Sequence, residues 1–430
     1  MVHYAEATEE NGLIVALNQE KAYDKICHDY LWCTMEKYNL PQSFINTVCS
    51  LYESAETVVI LNGAISQPFQ VSRGVRQGDP LSCLLFNIAI EPLANLLCMS
   101  KDLKGFEIPG AETKLITNLF ADDTTVYLNQ EEDFQTLTGI LHLWCHASGV
   151  RFNESKTEII PIGTQCYQDQ LTNTRQNSPD STLLDPNIHI AEDQEPTQIL
   201  GGWIGNGIYD QAIWSKNLEK VHSTFERWGK HHPTLIARHL IVQMFAGGIS
   251  QYMTTVQGMP KDIESTMQKM INCFVWDGDQ AQINLQQTRD SFKRGGIKLL
   301  DIQARNEAID IMWLKKYLDL SPSRPLWAFI VDVLIEDSIA RSNNADQSIT
   351  MNTYLQNWSP SINANSKLPP DLKRMICTGR TYNVSFSALT IPEHIKSELP
   401  AWYHIGADNN PRGFLNSRAP KCLKSNHQIR

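Results

Sequence analysis

Two adjacent carboxylates, Asp122 and Asp123, follow Phe120-Ala121 between two β-like runs at 114–119 and 124–128. At the tip of a hairpin, such a pair can hold divalent cations against a phosphate. That arrangement serves phosphoryl transfer when two metals sit roughly 3.5–4 Å apart and stabilise the attacking and leaving oxygens. The competing reading is a polar turn, because Asp is favoured in turns by hydrogen bonds to its own backbone. What surrounds the pair decides between them.

A chain of 430 residues has room for two or three domains with cores of their own. Its 42% hydrophobic and 20% charged residues place it among globular proteins and exclude a disordered chain. The most apolar stretch, 81–99, is broken by Asn87, Glu91, Pro92 and Asn95, so no membrane span is expected there. The first ten residues lack the basic and apolar regions of a secretory signal, which predicts an intracellular protein. Ten scattered cysteines with no Cys-x-x-Cys pair read as free thiols, with Cys83, Cys98 and Cys273 expected to be buried in apolar runs. The net charge of −10 runs against a broad basic footprint for nucleic acid, and only 227–238 and 293–298 are locally basic.

Several elements must position the carboxylates. Leu13-Ile-Val-Ala-Leu17 suits a buried strand, and 29–38 reads as helix. Asn62-Gly63 between two apolar runs is a strong hairpin signal. Asp79-Pro80 opens a helix, as N-cap and first helical residue, with Leu81, Leu84, Leu85 and Ile88 at helical spacing behind. A helix over 134–145 and a strand over 158–162 complete an α+β layout. The stretch 163–198, rich in Gln, Asn, Asp and Ser, reads as a polar loop or linker. Beyond it, apolar stripes at Trp214, Leu218, Val221, Phe225 and Trp228, at Ile263, Met267, Met270 and Phe274, and along 304–318 predict packed helices.

Four segments occur in order: Leu13-Ile-Val-Ala-Leu-Asn-Gln-Glu-Lys-Ala-Tyr-Asp24, Arg73-Gly-Val-Arg-Gln-Gly-Asp-Pro-Leu-Ser82, Phe120-Ala-Asp-Asp123 and Gly149-Val-Arg-Phe-Asn-Glu-Ser-Lys-Thr-Glu158. Together they resemble the palm of a reverse transcriptase of the LINE-type (non-LTR) retrotransposon class, as found in fungal genomes. The resemblance continues through Ile199-Leu-Gly-Gly-Trp203 and Gly295-Gly-Ile-Lys-Leu-Leu-Asp301 and covers at least 12–320. It implies a right-hand polymerase palm at 12–162 and, past the polar linker, a helical thumb-like region at 199–290. A helical C-terminal region at 291–335 and an irregular, partly helical tail at 336–430 follow.

The resemblance also implies roles. Asp122 would bridge two Mg2+ (or Mn2+) ions with Asp123 beside it, while a primer 3′-hydroxyl attacks the α-phosphate of a deoxynucleoside triphosphate. Tyr23 aligns with the aromatic residue that excludes ribonucleotides, and serves equally as a core aromatic. Gln77 and Gly78 sit where the backbone approaches the nascent base pair, and otherwise form a helix-entry turn. Arg73 and Arg76 are phosphate contacts or surface arginines; Lys156 is the pyrophosphate-protonating lysine or a solvated one. The implied partners are an RNA template, a DNA primer and deoxynucleoside triphosphates in the nucleus, with no membrane; oligomeric state stays open.

Two departures stand out. Asn18 replaces the aspartate that the class uses as its third metal-binding carboxylate, and magnesium prefers charged oxygen ligands. Glu20, on the same face of an extended strand, is the candidate substitute; Asp24 reads as part of the turn after Tyr23. Few residues precede Leu13, so the expectation is a chain truncated at both ends and lacking most of the fingers. Both departures predict weak or absent polymerase activity, with an RNA or RNA–DNA hybrid-binding scaffold as the alternative. Without fingers, the strand ending at Leu17 is expected to be an exposed, aggregation-prone edge.

Overall fold

The computed structural model describes residues 1–208, 210–339, 352–356, 358–363, 365–385, 391–399 and 418–427. The chain forms two units, one from 1–200 and 204–207, the other from 201–203 and 208 onward.

In the first unit, helix α1 (Val2–Thr8) feeds strand β1 (Gly12–Asn18). Leu13 and Val15 are fully buried and Ile14 is nearly so, which is why this run is apolar throughout and does not alternate. A short helix α2 (Ala22–Lys25) leads to α3 (His28–Lys37) and α4 (Gln42–Glu53). Two nested two-stranded ribbons follow: β2 (Glu56–Thr57) with β5 (Phe69–Gln70), and β3 (Ile60–Leu61) with β4 (Ala64–Ile65). The inner turn has positive φ at both Asn62 (50°) and Gly63 (83°), as a two-residue hairpin of this twist requires.

Helix α5 (Pro80–Met99) starts where the sequence indicates, with the Asp79 carboxylate accepting from the Leu81 N–H at 2.9 Å. By length and composition alone it could cross a bilayer. Leu85, Phe86, Ala89, Leu93 and Leu97 are nevertheless fully buried in the core, so its apolarity serves packing in this fold. Leu84 lies on the opposite face, 60% exposed. Cys83 and Cys98 are exposed too, as is Cys273 further on. The expectation that these thiols are buried is therefore corrected: a helix with one buried face turns its other apolar positions outward. All ten cysteines are unpaired, as expected.

Strands β6 (Thr117–Phe120) and β7 (Asp123–Asn129) form the hairpin that bears the carboxylates, followed by α6 (Phe134–Ser148) and β8 (Glu158–Ile162). α3 and α6 are tied to α5 through one hydroxyl: Tyr30 donates to the Ala89 carbonyl, and the buried Trp144 indole donates to Tyr30, each at 2.9 Å.

The segment 163–198 is not the expected linker. It holds α7 (Gln165–Thr174), which buries Tyr167 and Leu171, and β9 (His189–Ile190), which pairs parallel to β8. Its polar residues satisfy the irregular backbone. The Asn177 amide donates to the Asn129 and Glu132 carbonyls, and the Arg175 guanidinium to those of Asp185 and Ile188.

The main sheet has the order β6-β7-β1-β8-β9. β1 runs antiparallel to both neighbours, with Val15 opposite Val126 on one side and Ile159 on the other. The expected exposed edge at β1 is thus overturned: the strand is central, and β6 and β9 form the edges.

The second unit is mainly helical over its described residues. It comprises α8 (Asp210–Gly229), α9 (Leu235–Ile241) continuing through a π-type turn at Val242–Gly247 into α10 (Gly248–Gln257), and α11 (Lys261–Val275). Next come α12 (Leu285–Arg289), α13 (Ile302–Tyr317) and α14 (Leu326–Asp337), then α15 (Pro370–Thr381), α16 (Glu393–Glu398) and α17 (Arg418–His427). The first two apolar stripes meet as expected, with Phe225 stacked on Phe274 at 4.4 Å between ring centroids. Much of the expected irregular tail, including 340–351 and 400–417, lies outside the described residues.

Candidate active site

Register sets the site. Asn18, the last residue of β1, lies directly opposite Asp123, the first of β7. The turn before Asp123 places Ala121 in the left-handed region, φ 51°, a conformation that a residue with a Cβ rarely adopts and that the hairpin imposes. The Gln19 N–H donates to the Asp122 carbonyl at 3.2 Å, tying the turn to the end of β1.

Asp122 is exposed and Asp123 half-buried. Partial desolvation, and then repulsion from Asp122, push the Asp123 carboxyl above the usual carboxylate range; a hydrogen bond from the Asn18 side chain opposes both. The amide therefore acts as a donor to the carboxylate it faces. A carboxylate at position 18 would face Asp123 as a third acceptor. Among the described residues, no three His, Cys, Asp or Glu side chains are grouped to share a metal ion.

Glu20 does not substitute. Its carboxylate is 2.5 Å from the Lys25 ammonium, and that pairing holds it below the usual carboxylate range. Asp24 lies with Tyr23 inside the one-turn helix α2, not in a turn after Tyr23 as the sequence reading expected.

Tyr23 stacks on Phe86, with centroids 4.7 Å apart and planes 12° from parallel. Its phenol is pushed upward by desolvation first, then by the Cys83 thiol and by the charge of Asp122. The ring is thus a packed aromatic, as one of the two sequence readings expected, and it lies within electrostatic reach of Asp122. The Val75 N–H donates to the Tyr23 carbonyl at 2.6 Å and the Gly74 N–H to that of Ile26 at 2.7 Å. His28 Nε2 lies 2.8 Å from the Gly74 carbonyl. These bonds fix the loop that carries Gln77 and Gly78, both exposed, into the start of α5. Gly78 has φ 90° with open space around it, so its backbone conformation alone calls for glycine.

The remaining basic residues divide. Arg76 donates to the Leu51 carbonyl at 2.8 Å and lies over the Tyr52 ring, so its guanidinium is engaged in the scaffold. Arg73 is exposed and lines clefts in which neither Asn18, Asp122 nor Asp123 takes part. Lys156 ends an exposed turn, Glu154–Lys156, that hangs from β1 through a 2.9 Å bond from the Asn153 N–H to the Asn18 carbonyl. The sequence reading missed Gln19 and Cys83. Gln19 is buried with its Oε1 unpartnered, and the only signal for it was its place beside Asn18.

The family model described as reverse transcriptase (RNA-dependent DNA polymerase) matches residues 2–204. The chain is 24% identical over 331 residues to the transposon TX1 uncharacterized 149 kDa protein of Xenopus laevis, covering 76% of this chain and 24% of that protein. It is 31% identical over 157 residues to the Pol polyprotein of the type-2 retrotransposable element R2DM of Drosophila melanogaster, covering 36% and 14%. An R2 Pol polyprotein of Popillia japonica is 23% identical over 275 residues, covering 62% and 44%. The chain spans less than half the length of each relative. With the family match starting in α1 and running through β9, residues 2–204 belong to the reverse transcriptase family and are a domain of the non-LTR retrotransposon type.

Proposed function

We propose that this domain derives from an RNA-directed DNA polymerase in which nucleotidyl transfer is strongly impaired, and that the pairing of Asn18 with Asp123 carries the impairment. In this reading the first unit is a polymerase palm and the second begins with a thumb-like region. Asp122 and Asp123 are the metal-binding carboxylates, and Tyr23 is the wall beside the incoming sugar. Gln77 and Gly78 present backbone to the nascent pair, and Lys156 is the proton donor to the leaving pyrophosphate. Magnesium or manganese, when bound, would supply activation of the primer hydroxyl and charge compensation on the triphosphate. The donor set fits such ions only in part, because two carboxylates and a neutral amide stand where hard, charged oxygens are preferred. Loss of one principal electrostatic contact of this kind lowers rate by roughly 10²–10³.

The test is primer extension on poly(A)–oligo(dT) with magnesium and then manganese, using the chain as it stands, Asn18→Asp, and Asn18→Asp with Asp122→Ala. The expected result is extension that appears or rises with Asn18→Asp and disappears in the double variant. Vigorous extension by the unaltered chain would overturn the impairment. Inactivity of all three, alongside tight binding of an RNA–DNA hybrid, would favour a binding scaffold; the locking of Glu20 by Lys25 supports that second reading, because no spare carboxylate is left to replace Asn18.

A further inference from the structure

The first unit contains a second concave feature. A cleft of about 680 Å3 opens at the last turns of α6, lined by Lys25, Arg73, His142, His146, Arg151 and the bare backbone of Gly149, among others. Five of its lining side chains carry or can take up positive charge, and no carboxylate lines it. Lys25 is paired with Glu20, whose carboxylate also interacts electrostatically with Arg151; Arg73, His142 and His146 form no ion pair among the described residues. In a chain of net charge −10, that local excess stands against the average.

The backbone that carries these residues is pinned: Gly74 N–H to Ile26 O, Cys27 N–H to Ser148 O at 2.8 Å, and Glu20 N–H to Arg151 O at 2.9 Å tie three segments, 20–27, 73–74 and 148–151, to one another. Gly149, at φ 77°, caps α6 in the left-handed region; a Cβ there would only touch the Lys25 carbonyl at 3.4 Å and the Arg73 guanidinium at 3.9 Å, so conformation, not space, calls for glycine. Cationic side chains gathered around one opening favour an anion there, and arginine forks match phosphate oxygens best.

From this geometry we infer that the cleft holds the phosphodiester backbone of a nucleic-acid strand, at a place separate from the Asp122–Asp123 tip. The inference rests on the polymerase reading above. The strand's phosphates would lie against Arg73, Arg151, His142 and His146, adding affinity that is independent of base sequence and sensitive to salt.

The experiment is fluorescence anisotropy with the whole chain and a labelled RNA oligonucleotide annealed to a DNA primer, from about 50 to about 200 mM salt. The Arg151→Gln/His146→Gln variant is expected to bind about tenfold more weakly at the low-salt end, with a salt slope shallower by about 1. Arg151→Glu is expected to do more, and Lys37→Gln, the same charge loss elsewhere in the unit, to leave the slope unchanged. Because neither altered side chain makes a hydrogen bond, melting temperatures should stay together. In parallel, the His142 and His146 imidazole resonances of the unaltered chain should shift as unlabelled hybrid is added. Binding by the unaltered chain with no change in slope or affinity in the variants, or with still imidazole resonances, would overturn the cleft and leave the polymerase reading intact. Absence of binding by the unaltered chain would overturn the polymerase reading itself.

Discussion

Asparagine and aspartate differ by one charge and almost no volume, so position 18 alters the chemistry of the site without altering its shape. Asn18→Asp should raise metal-dependent extension by roughly 10²–10³. It should also lower the melting temperature in chelator and make it rise with added magnesium, because a third carboxylate then faces Asp123 unless a cation binds. The Asp123 carboxyl has a folded-state pKa above its unfolded one, so the folded chain holds an extra proton between the two values. Stability therefore falls as pH rises from about 4 through the folded value. Asp123→Asn should accordingly melt higher than the unaltered chain at pH 7, with the gap closing towards pH 4; equal melting curves at pH 7 would contradict the strained carboxylate. Asp122 and Asp123 were legible in the sequence because they sit at a hairpin turn between two apolar runs, whereas Asn18 and Tyr23 were singled out by the resemblance to the reverse transcriptase palm. The grip of Lys25 on Glu20 was not legible: α2 lies between them, and its turn decides whether the ammonium reaches the carboxylate.

Among elements, the loop from Arg73 to Asp79 shows how a motif is held. Gly74 has φ 82°, and a Cβ there would lie 2.5 Å from the Tyr23 carbonyl oxygen and 2.7 Å from the Asp24 Cα. Gly78 has a similar φ with nothing within 4 Å. Gly74→Ala should therefore lose about 3 kcal/mol or more in urea unfolding, from strain plus a clash that rigid backbone cannot relieve, while Gly78→Ala loses about 1 kcal/mol. Similar losses would show that conformation alone sets both positions. The helix beginning at Asp79-Pro80 and the turn at Asn62-Gly63 were readable because cap and turn chemistry is local. The elements of 163–198 were not. α7 has only Tyr167 and Leu171 buried among its ten residues, one apolar contact per turn, and β9 is two residues long. Too little periodicity remains in such a segment to outweigh its polar composition; its place in the fold is set by the adjoining β8 and by the bonds of Asn177 to the carbonyls of Asn129 and Glu132, which lie 48 and 45 residues away.

For the molecule as a whole, two separate cores predict unfolding in more than one step. Leu171 and Met267 are both fully buried, one in each core. Leu171→Ala and Met267→Ala should each remove about 2–5 kcal/mol and shift different transitions in calorimetry; a single transition moved equally by both would mean the cores unfold as one. The central place of β1 has another consequence, for the order of events during synthesis. Its partners are β7 and β8, and the sheet gains its last strand only with Ile190. A ribosome adding about 5–20 residues per second would leave β1 without its second neighbour, β8, for roughly 7–29 s after it forms. Throughout that interval Leu13, Val15 and Leu17 are an apolar segment with open hydrogen-bonding edges, a ready client for chaperones. Nascent chains arrested before residue 158 should expose β1 to protease, whereas those arrested well past residue 200 should protect it.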